Sequence, residues 1–277
     1  MSDTSFPRVS VVTATYNGSC FLPAAIESIL AQSYTDFEYV IVDDASTDTS
    51  AAIATDYAAQ DNRIRIVANP VRLGPPGALN RALATVQGDY VAVLDHDDLA
   101  LPERLARQVA FLDAQPGVGA VGAKVRFIDE AGVVSSEQAY PTHPAAARWQ
   151  LLFGASLLHS ASMYRRRLFQ QLGGYSEEHP YLCDYELLGR LAEISQIVNL
   201  PDLLTCYRRS STQVSATHRT PQLGQMILLQ YAIQKRWLGL RPDLAAFSAL
   251  HRWMKGAPPS DAAQATAAVA QFEALYD

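Results

Sequence analysis

A chain of 277 residues with 49% hydrophobic and 18% charged residues has an ordinary globular composition and is long enough for a sizeable core in one or two domains. A formal net charge of −6 argues against nucleic-acid binding and against wholesale electrostatic adhesion to anionic lipid, leaving only a local basic patch that option. Cys20, Cys183 and Cys206 lack metal-ligand spacing and read as reduced thiols of a cytosolic chain, the opening residues hold no apolar signal core, and no run of about 18 apolar residues is present.

Taken in chain order, Arg8 to Thr13 reads as a strand released at Ala14-Thr15-Tyr16-Asn17-Gly18. Phe37-Glu38-Tyr39-Val40-Ile41-Val42 is a second strand, stopping at Asp43-Asp44. Ser46, Thr47 and Asp48 are expected caps of a helix running to Ala59. Arg72 to Asn80 is a glycine- and proline-containing loop entering a helix, a place that favours anions. Asp89 to Leu94 is a buried strand that ends in Asp95-His96-Asp97-Asp98. Carboxylates so crowded repel, and a hard divalent ion bridging them to phosphate relieves the repulsion. On the cluster alone an acidic capping turn is an equal alternative. The second acidic strand end favours the ligand reading, because open parallel sheets bind ligands beyond the carboxyl ends of their strands. No Gly-x-Gly-x-x-Gly follows the first strand and no P-loop is present, so metal rather than a glycine cradle would hold the phosphate.

Leu99 to about Ser215 reads as more irregular, and Pro221 to Asp277 as all-helical, with a turn at Gly256-Ala257-Pro258-Pro259 and a helix over Ala262 to Ala274. Arg165-Arg166-Arg167 reads as a solvated helix-start patch. Asp184 stands at an apparent helix start, where an N-cap is its structural alternative.

Val9-Ser10-Val11-Val12-Thr13-Ala14-Thr15-Tyr16-Asn17, Val40-Ile41-Val42-Asp43-Asp44-Ala45-Ser46-Thr47-Asp48 and the Asp95-His96-Asp97-Asp98 cluster recur in order with His159-Ser160-Ala161-Ser162-Met163-Tyr164-Arg165-Arg166, Leu172-Gly173-Gly174-Tyr175 and Asp184-Tyr185-Glu186-Leu187-Leu188-Gly189-Arg190. In this order and spacing the chain resembles the family 2 glycosyltransferases of the GT-A fold, the inverting type that uses nucleotide sugars. The resemblance implies an α/β fold, a Rossmann-like mixed sheet flanked by helices, with a helical C-terminal extension. It divides the chain into a nucleotide-sugar half (1–98), an acceptor half of the same domain (99–218) and the extension (219–277).

The same resemblance implies the site. Asp44 would read the imide of a uracil or thymine base, Tyr16 would stack on it, and the Thr13–Ala14 backbone would frame it. Asp98 would ligate Mn²⁺ or Mg²⁺, Asp97 would contact the metal or ribose, and Asp95 would support either, with His96 a bystander. Many members carry Arg where this chain has Leu79, so Arg72 is expected to substitute at the phosphates; Asn80 matches the family. His159 matches a position near the donor phosphates or acceptor, and Arg208, in Tyr207-Arg208-Arg209, would neutralise the leaving diphosphate. Asp184 is the expected catalytic base. Cys183 replaces a Glu frequent in the family, which removes a neighbouring charge. Arg190 is expected to brace its helix by ion pairing.

The expected activity is inverting, metal-dependent transfer of a sugar from a UDP- or dTDP-linked donor to a hydroxyl of a glycan or lipid-linked acceptor, in cell-surface polysaccharide synthesis. The expected location is the cytoplasm, at most peripheral on the inner face of the plasma membrane, with room for a homodimer. A sugar nucleotidyltransferase is the main alternative, but such enzymes carry a Gly-rich, Arg-containing loop after the first strand, where this chain has Thr15-Tyr16-Asn17-Gly18. A catalytically silent nucleotide-sugar-binding protein is disfavoured by the acidic cluster together with Asp184.

Overall fold

The computed structural model describes residues 6–211, 213–239 and 244–254, with 263, 266–267 and 269–270 beyond them. Four runs rich in Val, Ile and Tyr become β1 (Val9–Thr15), β2 (Phe37–Asp43), β3 (Ile64–Ala68) and β4 (Tyr90–Val93). They pair in parallel in the order β3-β2-β1-β4. Parallel strands need helical crossovers, supplied by α1 (Leu22–Leu30), α2 (Ser50–Gln60) and α3 (Gly74–Leu83). Alternate strand residues feed two cores, one on each face. Val12, Val40, Val42, Val91 and Val93 meet Ala78 and Leu79 of α3, while Val9, Val11, Ile41 and Ala92 meet Leu22, Ile26 and Ile29 of α1.

The chain then adds β5 (Leu99–Ala100), α4 (Arg104–Ala114), β6 (Val118–Ile128), β7 (Val134–Gln138) and α5 (Pro144–Gln150). A 3₁₀ turn (His159–Ala161) leads to β8 (Met163–Arg165) and α6 (Arg166–Leu172), followed by α7 (Cys183–Ile194) and β9 (Gln196–Arg208). β8 lies antiparallel between β4 and β6, and β9 pairs parallel to β6, so one mixed sheet runs β3-β2-β1-β4-β8-β6-β9-β5, with β7 on β6.

The middle segment is therefore less irregular than its sequence predicts. β9 carries Pro201, a residue that removes a ladder donor and disguises a strand. The sheet absorbs it by a register shift: Leu200 faces Ala123 and Leu203 faces Lys124, leaving Pro201 and Asp202 outside the ladder. β6 hides behind glycines and alanines that give it little strand propensity.

The tail continues as α8 (Val214–Thr217), α9 (Arg219–Leu238) and α10 (Leu244–Met254). α9 docks through Gln230 and Gln234, which donate to the carbonyls of Phe153 and Leu152 at 2.6 and 2.8 Å. Ile233 packs on Gly189 of α7. The expected turn at Gly256-Ala257-Pro258-Pro259 lies outside the described residues; of the expected helix over Ala262 to Ala274, residues 263, 266–267 and 269–270 are described, and they are helical. Among the described residues no helix is long and apolar enough to cross a membrane.

Gly122 marks where β6 and β9 need close approach. A Cβ there would strike Asn199 Oδ1 and stand 2.8 Å from Leu157 Cβ. Asn199 cannot retreat, because its amide holds the carbonyls of Pro141 and Ser156 at 2.9 and 2.8 Å. Gly122→Ala is expected to destabilise the protein by roughly 1–3 kcal/mol, read as a lower midpoint in urea with an unchanged slope.

Candidate active site

The carboxyl ends of β1, β2, β3 and β4 share one edge of the sheet, and the loops leaving them are tied together. Asn17 and Ala45 hold φ values of 51° and 60°, a left-handed conformation that L residues adopt at a cost. The turns are cross-stitched: Asn17 N donates to Ser46 Oγ at 3.0 Å, Thr47 N to Asn17 Oδ1 at 2.8 Å, and Asp44 N to Thr15 O at 2.8 Å. Ser46 and Thr47 are thus loop fasteners rather than the expected caps, and the N-cap of α2 is Thr49, with no side-chain cap bond. Asp48 joins the same work, accepting from Ser50 N and Ser19 N at 2.9 and 3.1 Å.

Asp44 is buried at the end of β2. Its Oδ1 accepts from Asn69 Nδ2 and Leu73 N and its Oδ2 from Gly74 N, all at 2.8 Å. A carboxylate has about four acceptor positions, so the loop 69–74 fills most of them and Asp44 first shapes this loop. Arg72, expected at the phosphates, lies over the half-buried Tyr16 ring, its guanidinium carbon 3.8 Å from the centroid. Thr13 is buried, its hydroxyl bonded to Leu94 O and Tyr39 Oη, which leaves the backbone beside half-buried Ala14 at the strand exit.

The acidic turn after β4 carries the strongest electrostatic tension. Asp98 is fully buried; its Oδ1 accepts from Arg208 N at 2.7 Å and its Oδ2 has no partner. Burial, then the charges of Asp97 and Asp95, push its carboxyl well above the usual range. Burial also raises Asp97, whose Oδ2 accepts from Gln213 Nε2 at 3.1 Å. Asp95 goes the other way: burial works against its charge, but His159, with Nδ1 3.9 Å from Asp95 Oδ1, holds it below its ordinary value. His159 Nε2 meets Tyr175 Oη at 2.9 Å. His96 packs over Gly18, where a Cβ would meet its ring.

Four buried side-chain atoms at these strand exits lack any partner: Thr15 Oγ1 at β1, Asp43 Oδ1 at β2, Asn69 Oδ1 just after β3 and Asp98 Oδ2 after β4. Unpaired buried polar atoms are rare and call for a cause. Others lie elsewhere, Ser156 Oγ and Thr205 Oγ1 among them, but these four stand at the sheet edge where open α/β sheets bind ligands. A hard divalent ion suits Asp98 Oδ2 and Asp97. Among the described residues no three His, Cys, Asp or Glu side chains form a complete metal cage, so an ion here would draw its other oxygens from a ligand.

Two residues expected to contact ligand are engaged by the protein itself. Arg208 is buried and its guanidinium is committed, donating from Nε to Asp97 O at 2.9 Å and from one terminal nitrogen to Asp129 O and Glu130 O at 2.9 and 3.1 Å, while stacking over Phe21. It tethers the acidic turn to β9. Asn80 spends both ends of its amide on the backbone N–H and carbonyl of Tyr175, each at 2.9 Å. It thereby fixes the residue that holds His159.

Asp184 lies in the first turn of α7 but caps nothing; the N-cap is Leu182, without a side-chain cap bond. Its half-buried carboxylate makes no hydrogen bond among the described residues, and its charge bears on Tyr140, His159 and Tyr207 as well as on the buried Tyr164 and Tyr175. Burial, then Asp184, push Tyr140 up to about 12. Cys183 is buried, its thiol pushed up by burial and by Asp184, and is a packing residue. Arg190 braces α7 as expected, pairing with Glu186 at 2.6 Å and donating to the carbonyls of Leu172 and Gly174.

Sequence reasoning missed Thr15, Asn69, Tyr175 and Gln213. Asn69-Pro70 closing the run Ile64–Ala68 was the available signal for a fourth polar strand exit. Gln213 carried none.

The model of the glycosyl transferase family 2 matches residues 10–173, more than half of the chain. The chain belongs to that family. Among its relatives, the succinoglycan biosynthesis protein ExoO of Rhizobium meliloti is 31% identical over 264 residues, covering 90% of this chain and 74% of ExoO. EpsE of Bacillus subtilis is 38% identical over 172 residues, 62% of this chain and 61% of EpsE, so this chain spans less than two thirds of that relative. Among solved structures, Staphylococcus aureus TarS 1–349 in complex with UDP-GlcNAc superposes with a TM-score of 0.70 at 20% identity, covering 89% of this chain and 73% of that one. The mannosyltransferase PcManGT of Pyrobaculum calidifontis, in complex with GDP-Man and Mn²⁺, does so at 0.63 and 22%, covering 99% and 82%. These likenesses establish the GT-A fold.

If Arg208 is a tether, a lysine cannot replace it, since one ammonium cannot span three carbonyls as a guanidinium does. Arg208→Lys is expected to lower stability by roughly 2–3 kcal/mol through unpaired buried groups, seen as a drop in melting temperature without any ligand present. A variant with wild-type stability would return Arg208 to the diphosphate.

Proposed function

We propose that this chain is an inverting glycosyltransferase. It moves a sugar from a nucleoside-diphosphate donor, with uracil or thymine as its base, to a hydroxyl of a glycan or lipid-linked acceptor in cell-surface polysaccharide synthesis. The observation that carries this reading is the row of buried, unpartnered polar atoms at four strand exits, centred on Asp98. The biosynthetic setting is supported by the relative ExoO, the uracil-type donor by the TarS complex with UDP-GlcNAc, and the metal by the PcManGT complex with Mn²⁺, whose own donor carries guanine.

The donor base would lie between the Thr13–Ala14 backbone and Tyr16, with Asp44 offering its remaining acceptor position to an imide N–H. Arg72, uncovered above Tyr16, is the cation within the same loop. Asp98 and Asp97 would hold Mn²⁺ or Mg²⁺, which supplies charge neutralisation to the diphosphate when bound. Inversion requires the acceptor oxygen to attack the anomeric carbon from the face opposite the leaving group. As that bond forms and the bond to the diphosphate breaks, the hydroxyl proton passes to Asp184. Asp184 suits the task because it is half-buried, makes no hydrogen bond among the described residues and lies near enough for its charge to act on His159. His159, locked between Asp95 and Tyr175, orients the turn beneath it.

Two measurements test this reading. Asp98→Asn is expected to abolish the gain in UDP affinity that Mn²⁺ provides, as chelation with EDTA does in the unaltered protein, while folding is kept; calorimetric titration decides, and an undiminished metal effect would remove Asp98 from the site. Asp184→Asn is expected to bind donor and metal normally yet transfer sugar ~10²–10⁴-fold more slowly, with an unchanged melting temperature because the residue caps nothing. Near-normal single-turnover transfer by that variant would exclude Asp184 as the base.

A further inference from the structure

A cavity of about 390 Å³ opens at the other pole of the sheet, lined by Arg8, Asp89, Tyr90, Arg165, Arg166 and Arg167, with Pro116 and Gln170 at its rim. Arg8 precedes β1 and Asp89 precedes β4, while antiparallel β8 delivers Arg165 to the same end. The acidic turn lies beyond the opposite end of these strands, roughly 20 Å away at the usual rise per residue.

The charges here do not cancel. Arg8 pairs with Asp89 and Asp113 at 2.9 and 2.5 Å. Arg165 binds no carboxylate; it donates to the carbonyls of Val118, Leu112 and Gln115 at 2.8, 2.7 and 3.1 Å. Those bonds fix its guanidinium without neutralising it. Arg166 and Arg167 make no ion pair or side-chain hydrogen bond among the described residues, one half-buried and the other exposed. Asp36 adds a third carboxylate, accepting from Arg8 N at 3.3 Å, so four guanidinium charges against three carboxylates leave a surplus of one positive charge in a chain whose net charge is −6. Tyr90 carries Arg8 and Arg165 on its ring at 5.2 and 5.6 Å, which makes a stiff wall. Surplus cations lining a concave surface attract an anion, and guanidinium meets phosphate in bidentate geometry. The volume is that of a small-ligand site.

We propose that this cleft is a second anion site, which holds the phosphate group of a phosphate ester apart from the transfer site. Arg165 and Arg8 form its fixed wall, and Arg166 and Arg167 are the arms that close on the phosphate. A soluble sugar phosphate and the headgroup of an anionic lipid share this chemistry.

The test uses the full chain and the double variant Arg166→Gln, Arg167→Gln. One arm titrates a hexose 1-phosphate calorimetrically; the other sediments the protein with phosphatidylcholine vesicles containing or lacking phosphatidylglycerol. Binding in at least one arm is expected, weakened at least about tenfold in the double variant, with melting temperature and Mn²⁺-dependent UDP affinity unchanged. Loss confined to the hexose phosphate identifies a soluble ligand, and loss confined to phosphatidylglycerol vesicles identifies a lipid headgroup. No binding in either arm, or binding equal in both proteins, overturns the proposal.

Discussion

A carboxylate with no access to water and one unpaired oxygen stands where β4 leaves the sheet, and much of the fold is arranged to tolerate it. Asp98 has two like charges within three residues and no ion-paired cation touching it. Such a group is held in place only by a rigid surround. Arg208 supplies part of it, with its backbone N–H on Asp98 and its guanidinium on Asp97 O. Arg104 supplies another part from beneath. It is fully buried, donates to Val93 O and Ser162 O at 2.6 and 3.1 Å, and so joins β4 to β8. Burial lowers its guanidinium to about 10 against the pull of Asp98 and Asp95. Two buried arginines thus frame the buried Asp98 of a partly exposed acidic turn, and neither neutralises it by contact.

The same rigidity reaches α7 through a chain of contacts. Asn80 at the end of α3's second turn holds both backbone groups of Tyr175, Tyr175 meets His159, and His159 pairs with Asp95. Arg190 on α7 pulls on the neighbouring Gly174 carbonyl. Gly174 itself needs φ of +80°, and a Cβ there would stand 2.5 Å from Asn80 Oδ1. The helix that carries Asp184 and the turn that carries Asp98 are therefore linked through one glycine turn. Asn80, Tyr175 and His159 thus serve as scaffolding for the acidic turn.

The parallel half of the fold was legible because strands such as Val40-Ile41-Val42 and Val91-Ala92-Val93 are apolar on both faces and end in aspartates. The position of Asp184 at a helix start was legible for the same local reason. What resisted was everything set by partners distant in sequence. Nothing in Tyr207-Arg208-Arg209 reveals that Arg208 turns inward to carbonyls near residue 130. Asn80 and Tyr175 are 95 residues apart. Pro201 masked a 13-residue strand because the compensating register shift lies in its pairing with β6, not in its own sequence. Arg165-Arg166-Arg167 read as one solvated patch, yet the first is fixed by three carbonyls and only the next two are uncommitted.

The account depends on a cation and a diphosphate completing what Asp98 leaves open. Anomalous scattering from crystals grown with Mn²⁺ and UDP measures this directly. The expected result is a manganese peak bonded to Asp98 Oδ2 at about 2.2 Å, with further oxygens from Asp97 or its bound water and from the diphosphate. A manganese peak away from the acidic turn, or UDP bound elsewhere than the exits of β1, β2 and β4, would contradict it.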